Sequence, residues 1–359
     1  MSGPVPIEVI VGGLSDRIAE LCRELLPLGR REGSEWVEAK RKHGGLGDGL
    51  RVSLAQGKRG IWSHFGDAGP LARGDALDLV AYMVTNGDKG EALKWSRRWL
   101  GIDNLDPREL EQRRQAAARK AERERQADVE RKRARRERAI RYWNEAEASL
   151  KGTPAEFYLR GRGIYLDRLG RQPRSLRFHP GLVAGKADDG TWLRFPALIG
   201  LILKPGGRIA GIHRIWLDRD AAGKWTKAPL DPPRKALGEH KGGAIRIWRG
   251  ADGKSLAEAA PGSAVAIVEG VEDALALACG APDLRILCGI SLSNMANVEL
   301  PETIGTVYLG GENDDNDTAR AAFARAAEAH MRQGRRVFDL RPPEGFKDIN
   351  DLLQRGQPA

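Results

Sequence analysis

The sequence predicts a mixed α/β protein: a C-terminal parallel sheet with flanking helices, preceded by a strand-rich basic subdomain, a long charged helix and a small N-terminal α+β domain. Three observations carry this. From residue 262 onward, apolar runs of strand length ("AVAIVEG", "LRILCG", "TVYLGGE", "RRVFDLRPP") alternate with helical segments ("VEDALALACG", "DTARAAFARAAEAHMRQG", "DINDLL"), the pattern of a parallel sheet with helices on its faces. Residues 106–150 hold 14 Lys/Arg and 10 Asp/Glu and no glycine, which predicts one long solvated helix. Between them, "WLRFPALIGLIL", "RIAGIHRIWLD" and "AIRIW" are separated by the turn sequences "KPGGR", "RDAAGK" and "GEHKGG", as short strands require. A length of 359 residues suits two or three domains, and the expected divisions are 1–105, 106–145, 146–260 and 261–359.

In chain order, the N-terminal part opens with the helix-like "LSDRIAELCRELLPL" and continues with glycine-punctuated strands around "LRVSLAQGKRGIWSHF". It closes with "GDALDLVAYMVTNG" and "GEALKWSRRWLG", which have helical spacing between glycines. The charged segment lacks a sustained heptad seam, and serves either as a spacer between domains or as a basic arm that tracks nucleic acid. In the strand-rich part, basic residues recur beside tryptophans, with Arg160, Arg162, Arg194, Arg208, Arg214, Lys227, Arg234 and Lys235 near Trp192, Trp216 and Trp225.

Composition bounds the function. Forty-one per cent hydrophobic and thirty per cent charged residues describe a globular chain. No window approaches 18 uninterrupted apolar residues, and "MSGPVPIEVIVGG" lacks the form of a signal peptide, so a cytoplasmic protein without a membrane partner is expected. The three cysteines, Cys22, Cys279 and Cys288, form no close metal-type pair or disulfide framework. Fifty-nine Lys/Arg against 49 Asp/Glu give a net charge of +10, which favours polyanionic partners.

The chemistry is concentrated at the predicted strand ends of the C-terminal part, where open α/β sheets bind ligands. Glu269 follows "AVAIV". "GENDDND", after "TVYL", contains Glu312, Asp314, Asp315 and Asp317. "KDIND", after "VFDLRPPEG", contains Asp348 and Asp351. Residues i and i+2 of an extended chain point the same way, so Glu312 and Asp314 can offer two carboxylates to one hard cation, Mg²⁺ or Mn²⁺. Glu269 faces the same cleft as ligand or general base, and Gly270 lets the backbone turn sharply and leaves room for a phosphate. Helix capping explains an acid before a helix equally well for Asp317 and Asp348.

These motifs resemble a known family. "VEGVEDALAL", then "GENDDNDTAR" about 40 residues on, then "GFKDINDLL" is similar to the Toprim domain shared by bacterial-type primases, topoisomerases and some nucleases. "PAEFYLRGRGI", "GRIAGIHRIWLD" and "PPRKALG" resemble the motifs of the catalytic core of bacterial-type primases. "LLPLGRREGSEW", "GIWSHF" and "GDALDLVAYM" resemble the zinc-binding module that precedes that core in phage and plasmid primases. The resemblance implies that Glu269, Glu312 and Asp314 are catalytic and, with Asp348, hold Mg²⁺ or Mn²⁺. It implies that Arg162, Arg208, Arg214, Lys235, Gly270 and Asp273 line the path of template and nucleotide. The pair departs from the family in its first acid, Glu312, where aspartate is usual. Residues 30–75 contain no cysteine and only His43 and His64, too few for a four-coordinate structural zinc site, so no zinc is expected. The implied activity is DNA primase, a nucleotidyltransferase making short RNA primers from nucleoside triphosphates on single-stranded DNA. No "GxxxxGK[ST]" loop occurs, so the replicative helicase is expected to be a separate protein. Two other readings use the same residues: a Toprim nuclease, and a DNA-binding or helicase-associated factor of weak catalysis.

Overall fold

The computed structural model describes residues 5–38, 49–64, 72–102, 107–313 and 317–355. The chain forms two compact units, Met1–Val129 and Glu130–Ala359. The mixed α/β class expected from the alternation of strand-length and helical segments is the class found. Among the described residues no helix is long and apolar enough to cross a membrane.

In the first unit, α1 (Ile7–Asp16) and α2 (Ile18–Leu25) lead into an antiparallel meander of β1 (Arg30–Glu32), β2 (Glu35–Val37), β3 (Leu50–Ser53), β4 (Trp62–His64) and β5 (Arg73–Gly74), and α3 (Ala76–Val84) and α4 (Lys89–Leu100) follow. The helix boundaries are set locally. Asp75 accepts hydrogen bonds from the Leu77 and Asp78 amides while Asp78 reaches back to the Asp75 amide, a reciprocal cap on α3. Gly101, at φ 68°, ends α4 in the left-handed conformation that glycine adopts without a steric penalty. Leu14, Leu21, Leu50, Val52, Trp62 and Leu79 bury one apolar core. His64 Nδ1 lies 3.0 Å from the Tyr82 hydroxyl; His43 falls outside the described residues.

The charged segment is one helix, α5 (Pro107–Glu145). From Arg119 to Arg138 its side chains are exposed apart from the half-buried Asp128, as the charge pattern predicts. Its last turns are different: Ala139 and Trp143 are buried against the antiparallel strands of the second unit, so an end that reads as spacer belongs to a core.

The second unit is built on one ten-stranded sheet. Helix α6 (Pro154–Arg160) precedes the strands β6 (Leu176–Lys186), β7 (Trp192–Leu203), β8 (Ile209–Arg219), β9 (Trp225–Lys227), β10 (Arg234–Gly238) and β11 (Ala244–Arg249). Then β12 (Ser263–Val268), α7 (Val271–Gly280), β13 (Arg285–Cys288), α8 (Leu292–Met295), β14 (Ile304–Gly310), α9 (Asp317–Met331), β15 (Arg336–Asp339) and α10 (Ile349–Arg355) alternate. The strand order is β10-β8-β7-β11-β13-β12-β14-β15, with β6 beside β7 and β9 beside β8. The first half is antiparallel; β13, β12, β14 and β15 are parallel, and β11 joins the halves by pairing antiparallel with both β7 and β13.

Strict alternation assigns the two sheet faces. Leu198, Ile215, Ala266 and Val268 share one core with α6, α7 and α10. On the other face, Val265, Ile267, Val307 and Leu309 pack with residues of α8 and α9, and Ile199, Ile212 and Trp216 pack with the end of α5. At the sheet edge β10 lies very close to β8: a Cβ on Gly211 would fall 2.2 Å from the Leu237 carbonyl oxygen, so a side chain there is excluded.

One buried ion pair ties the halves of this unit together. Glu272, on α7, is 4% exposed; its Oε1 accepts the Tyr158 hydroxyl of α6 at 2.6 Å and the Lys227 ammonium of β9 at 2.8 Å. Burial opposes ionisation, but the Lys227 charge and the two hydrogen bonds outweigh it and take the carboxyl down to about 2. Neutralising it leaves Lys227 half-buried without its counter-charge, so Glu272→Gln should lower unfolding free energy by about 3 kcal/mol and Tyr158→Phe by about 2 kcal/mol, read from denaturant melts. The stability linked to a carboxyl held at about 2 rather than the usual 4.5 is present above pH 4.5 and lost as pH falls toward 2. Wild type should therefore lose more Tm across that interval than Glu272→Gln, and equal losses would refute the linkage.

Candidate active site

The C-terminal edge of the parallel strands gathers the predicted acids. Strand β12 is buried along its last four residues, and the chain leaves the sheet at Glu269. Gly270 caps α7 with φ −93° and ψ 154°, extended backbone that any residue can adopt. The backbone therefore does not need glycine for the turn expected from the sequence; a Cβ there would fall 2.9 Å from Asp273 Oδ2, so the glycine lets that carboxylate keep its place. Strand β14 ends in Gly310, and Gly311 and Glu312 follow. Asn313 fixes this exit, for its amide donates to the Lys347 carbonyl at 2.8 Å and its side-chain nitrogen lies 2.9 Å from the carbonyl oxygens of both Pro342 and Phe346.

Glu269 and Glu312 line one cavity of about 220 Å³, together with Arg234, Leu292, Gly311, Arg320, Phe323 and Arg341. Arg234 Nη2 is 3.8 Å from Glu269 Oε1. Burial raises the Glu269 carboxyl above the usual carboxylate range; Arg234 opposes the rise, Glu312 adds to it, and the Leu292 amide hydrogen bond opposes it. Beside this pair sits a second one. Burial, then repulsion from Asp348, pushes Asp273 up to about 7 even though the Asn350 amide donates to it at 3.1 Å, and Glu312 adds to the rise. Asp348 also accepts the Asp351 amide at 2.7 Å, so it caps α10, the alternative role that the sequence allows. Asp314, the second acid of the predicted pair, lies outside the described residues.

Residues 264–359 match the family model described as Toprim domain. This segment is a Toprim domain. Residues 133–247, from the last turns of α5 to β11, match a domain of unknown function, DUF7146. A search of curated proteins found no match. Among solved structures, the zinc-binding and RNA polymerase domains of the Aquifex aeolicus primase are 17% identical, covering 96% of this chain and 82% of that one at a TM-score of 0.41. A DNA primase domain from Pseudomonas aeruginosa is 21% identical over 58% of this chain and 71% of its own, at 0.39. The primase fragment of the bacteriophage T7 primase-helicase protein is 15% identical over 55% and 68%, at 0.32. At these scores and identities no residue role carries over from those structures.

The basic residues expected along the path to the Toprim acids are divided by the sheet. Register pairs Arg234 with Ile215 and Lys235 with Arg214, and directly opposed residues share a face. Arg234 and Ile215 lie on the α7 face, where Arg234 reaches Glu269. Arg214 and Lys235 lie on the face covered by α5: Arg214 is buried, its guanidinium 4.7 Å over the Trp216 ring and donating to the carbonyls of Lys235 and Ala236, while Lys235 is exposed. Arg208 is exposed in the turn before β8. Arg162 is bound to the third acidic motif, its Nε donating to Asn350 Oδ1 at 2.9 Å while Asn350 Nδ2 donates to the Arg162 carbonyl at 2.9 Å. Arg234, Asn313 and Asn350 are the residues that sequence reasoning left without a site role. For Arg234 the signal was present in strand alternation, once the neighbouring Lys235 is set on one face.

The donor set of the Toprim domain fits a hard divalent cation. Glu269 and Glu312 place two carboxylates on one cavity with a single loose cation partner for the first, and magnesium is commonly held by one or two protein carboxylates together with substrate phosphates and water. Among the described residues no group of three or more His, Cys, Asp or Glu is assembled for a metal. Magnesium or manganese at a hundredfold excess over its Kd should stabilise the protein by about 2.7 kcal/mol, visible as a rise in Tm, and Glu312→Gln should remove most of that rise. An unchanged rise in the variant would exclude Glu312 as a ligand.

Proposed function

We propose that this chain is a DNA primase, a metal-dependent nucleotidyltransferase that makes short RNA primers from nucleoside triphosphates on single-stranded DNA. The observation that carries the reading is the meeting of Glu269 and Glu312, at the edge of the Toprim domain, with Arg234 from the antiparallel basic half of the same sheet. Of the primase-like motifs, "PAEFYLRGRGI" forms α6 and the turn after it, and "PPRKALG" leads into β10 of that basic half; a nuclease acting through the same carboxylates has no need of them.

In this reading Glu269 and Glu312, with Asp314 and Asp348 as further candidates, hold Mg²⁺ or Mn²⁺, which when bound neutralises charge on the triphosphate. The 3′-hydroxyl oxygen of one nucleotide forms a bond to the α-phosphorus of the next, the bond from that phosphorus to its bridging oxygen breaks, and pyrophosphate leaves. The hydroxyl proton passes to a Glu269 carboxylate oxygen, made more basic by burial. Arg234 lines the same cavity beside Glu269, where a guanidinium fork clamps phosphate oxygens. This reading makes a replicative helicase the expected partner at the template and the cytoplasm the expected compartment.

Labelled nucleotides, mixed-sequence single-stranded DNA and Mg²⁺ or Mn²⁺ provide the test. Wild type should make short products, and Glu269→Gln should cut their rate of formation by about a hundredfold or more, with Arg234→Met also impaired. Degradation of the template would replace this reading with a nuclease, and tight DNA binding without either activity would replace it with an accessory factor.

A further inference from the structure

On its α9 side the cavity is walled by Arg320, Phe323 and Arg341, none of them among the acids or basic motifs used so far. Their placement depends on Gly311. A Cβ there would lie 3.1 Å from two ring carbons of Phe323 and 3.5 Å from Arg341 Cγ, so the ring packs closely on bare main chain immediately before Glu312 with the arginine stem beside it. The Arg341 guanidinium stands 5.0 Å from the Phe323 ring centroid, a cation–π contact that braces it. Arg341 and Arg320 each pair with a nearby aspartate, Asp339 and Asp317. Arg341 gives both Nε and Nη2 to Asp339 Oδ2 and Arg320 gives Nη2 to Asp317; these side chains are 41% and 44% exposed in the first pair and 51% and 95% in the second, so solvent screens both attractions. A multiply charged anion entering the cavity would compete with these aspartates for the two guanidinium groups.

We propose that Arg341, braced by Phe323, and Arg320 bind the β- and γ-phosphates of the incoming nucleoside triphosphate. The inference rests on the nucleotidyl-transfer reading and deepens it by assigning the substrate's charged tail to the wall formed by Arg320, Phe323 and Arg341. The shared chemistry is phosphate, and a template phosphodiester is its other source. The polyphosphate is favoured because three guanidinium groups converge on one cavity of about 220 Å³. A phosphodiester chain strings single charges along its length, whereas a triphosphate gathers its charge in one place.

The test measures calorimetric affinity for magnesium tripolyphosphate, KM for ATP in primer synthesis, and affinity for a single-stranded oligonucleotide on the same preparations. Arg341→Met should weaken tripolyphosphate binding and raise KM by roughly tenfold or more, with oligonucleotide affinity unchanged. Arg341→Lys should fall between, because an ammonium keeps the charge and loses the fork. Arg320→Met should act in the same direction, and Tm values equal to wild type would show that the fold is intact, as the exposure of both arginines leads us to expect. If wild type primes and binds tripolyphosphate but Arg341→Met and Arg320→Met bind it equally well, the inference fails and the primase reading stands. Loss of oligonucleotide affinity with tripolyphosphate binding retained assigns the wall to the template and overturns the inference. A wild type that neither primes nor binds tripolyphosphate overturns both.

Discussion

The buried carboxylate of Glu272 is the constraint around which the second unit is organised. A charge removed from water is tolerated only with a matched partner and filled hydrogen bonds, and here Lys227 and Tyr158 arrive from β9 and α6 to supply both. The five residues "EGVED" then divide their work. Glu269 leaves the strand toward the cavity, Gly270 makes room for the Asp273 carboxylate, Val271 enters the core, Glu272 points inward to its partners, and Asp273 meets the third acidic motif through Asn350. Because Glu272 is anchored on the basic half of the sheet, the first turn of α7 is held there too, and with it the two acids that flank Glu272. His213 lies close by, fully buried, its Nδ1 without a hydrogen-bond partner and its pKa taken by burial down to about 4, so the neutral ring adds no further charge beside the ion pair.

A single sheet carries both halves of the chemistry. The parallel strands end in acids, the antiparallel strands carry the cations, and β11 hydrogen-bonds to both sets. The arrangement makes side-chain alternation decisive, since a shift of one residue moves a side chain to the opposite face. Arg234 and Lys235 are neighbours in sequence, yet the first stands 3.8 Å from Glu269 and the second is on the face that packs against α5. The same alternation buries Arg214 over Trp216, where its donors go to backbone carbonyls.

This alternation also marks how far the sequence could be read. The parallel sheet was legible because β12, β13 and β14, mostly buried on both faces, are apolar runs separated by helical spacing, and the acids were legible because strand ends bind ligands. The long helix was legible from charge alone, except that the burial of Ala139 and Trp143 depends on strands which a local pattern does not reveal. Nothing local marked Glu272, since its partner Tyr158 lies 114 residues away. Asn350 was hidden for the same reason, being bound to Arg162 across 188 residues. Gly270 was read as a turn residue, whereas its backbone is extended and the constraint is the neighbouring carboxylate.

The charge balance of the cavity follows from this division of the sheet. Among the described residues that line the cavity, two carboxylates, Glu269 and Glu312, stand with three guanidinium groups, Arg234, Arg320 and Arg341. A site of acids alone would hold a divalent cation tightly and repel phosphate; a site of arginines alone would hold phosphate without the metal. In the proposed reading both are present, and a bound cation and a bound polyphosphate would each offset the other's charge, so each would improve the binding of the other. The loose contact between Arg234 and Glu269 suits this, for at 3.8 Å it lies beyond hydrogen-bonding range and leaves the donors of one and the lone pairs of the other available to ligands. Shortening that contact into a closed ion pair would make the empty site more stable and the substrate-bound site less so.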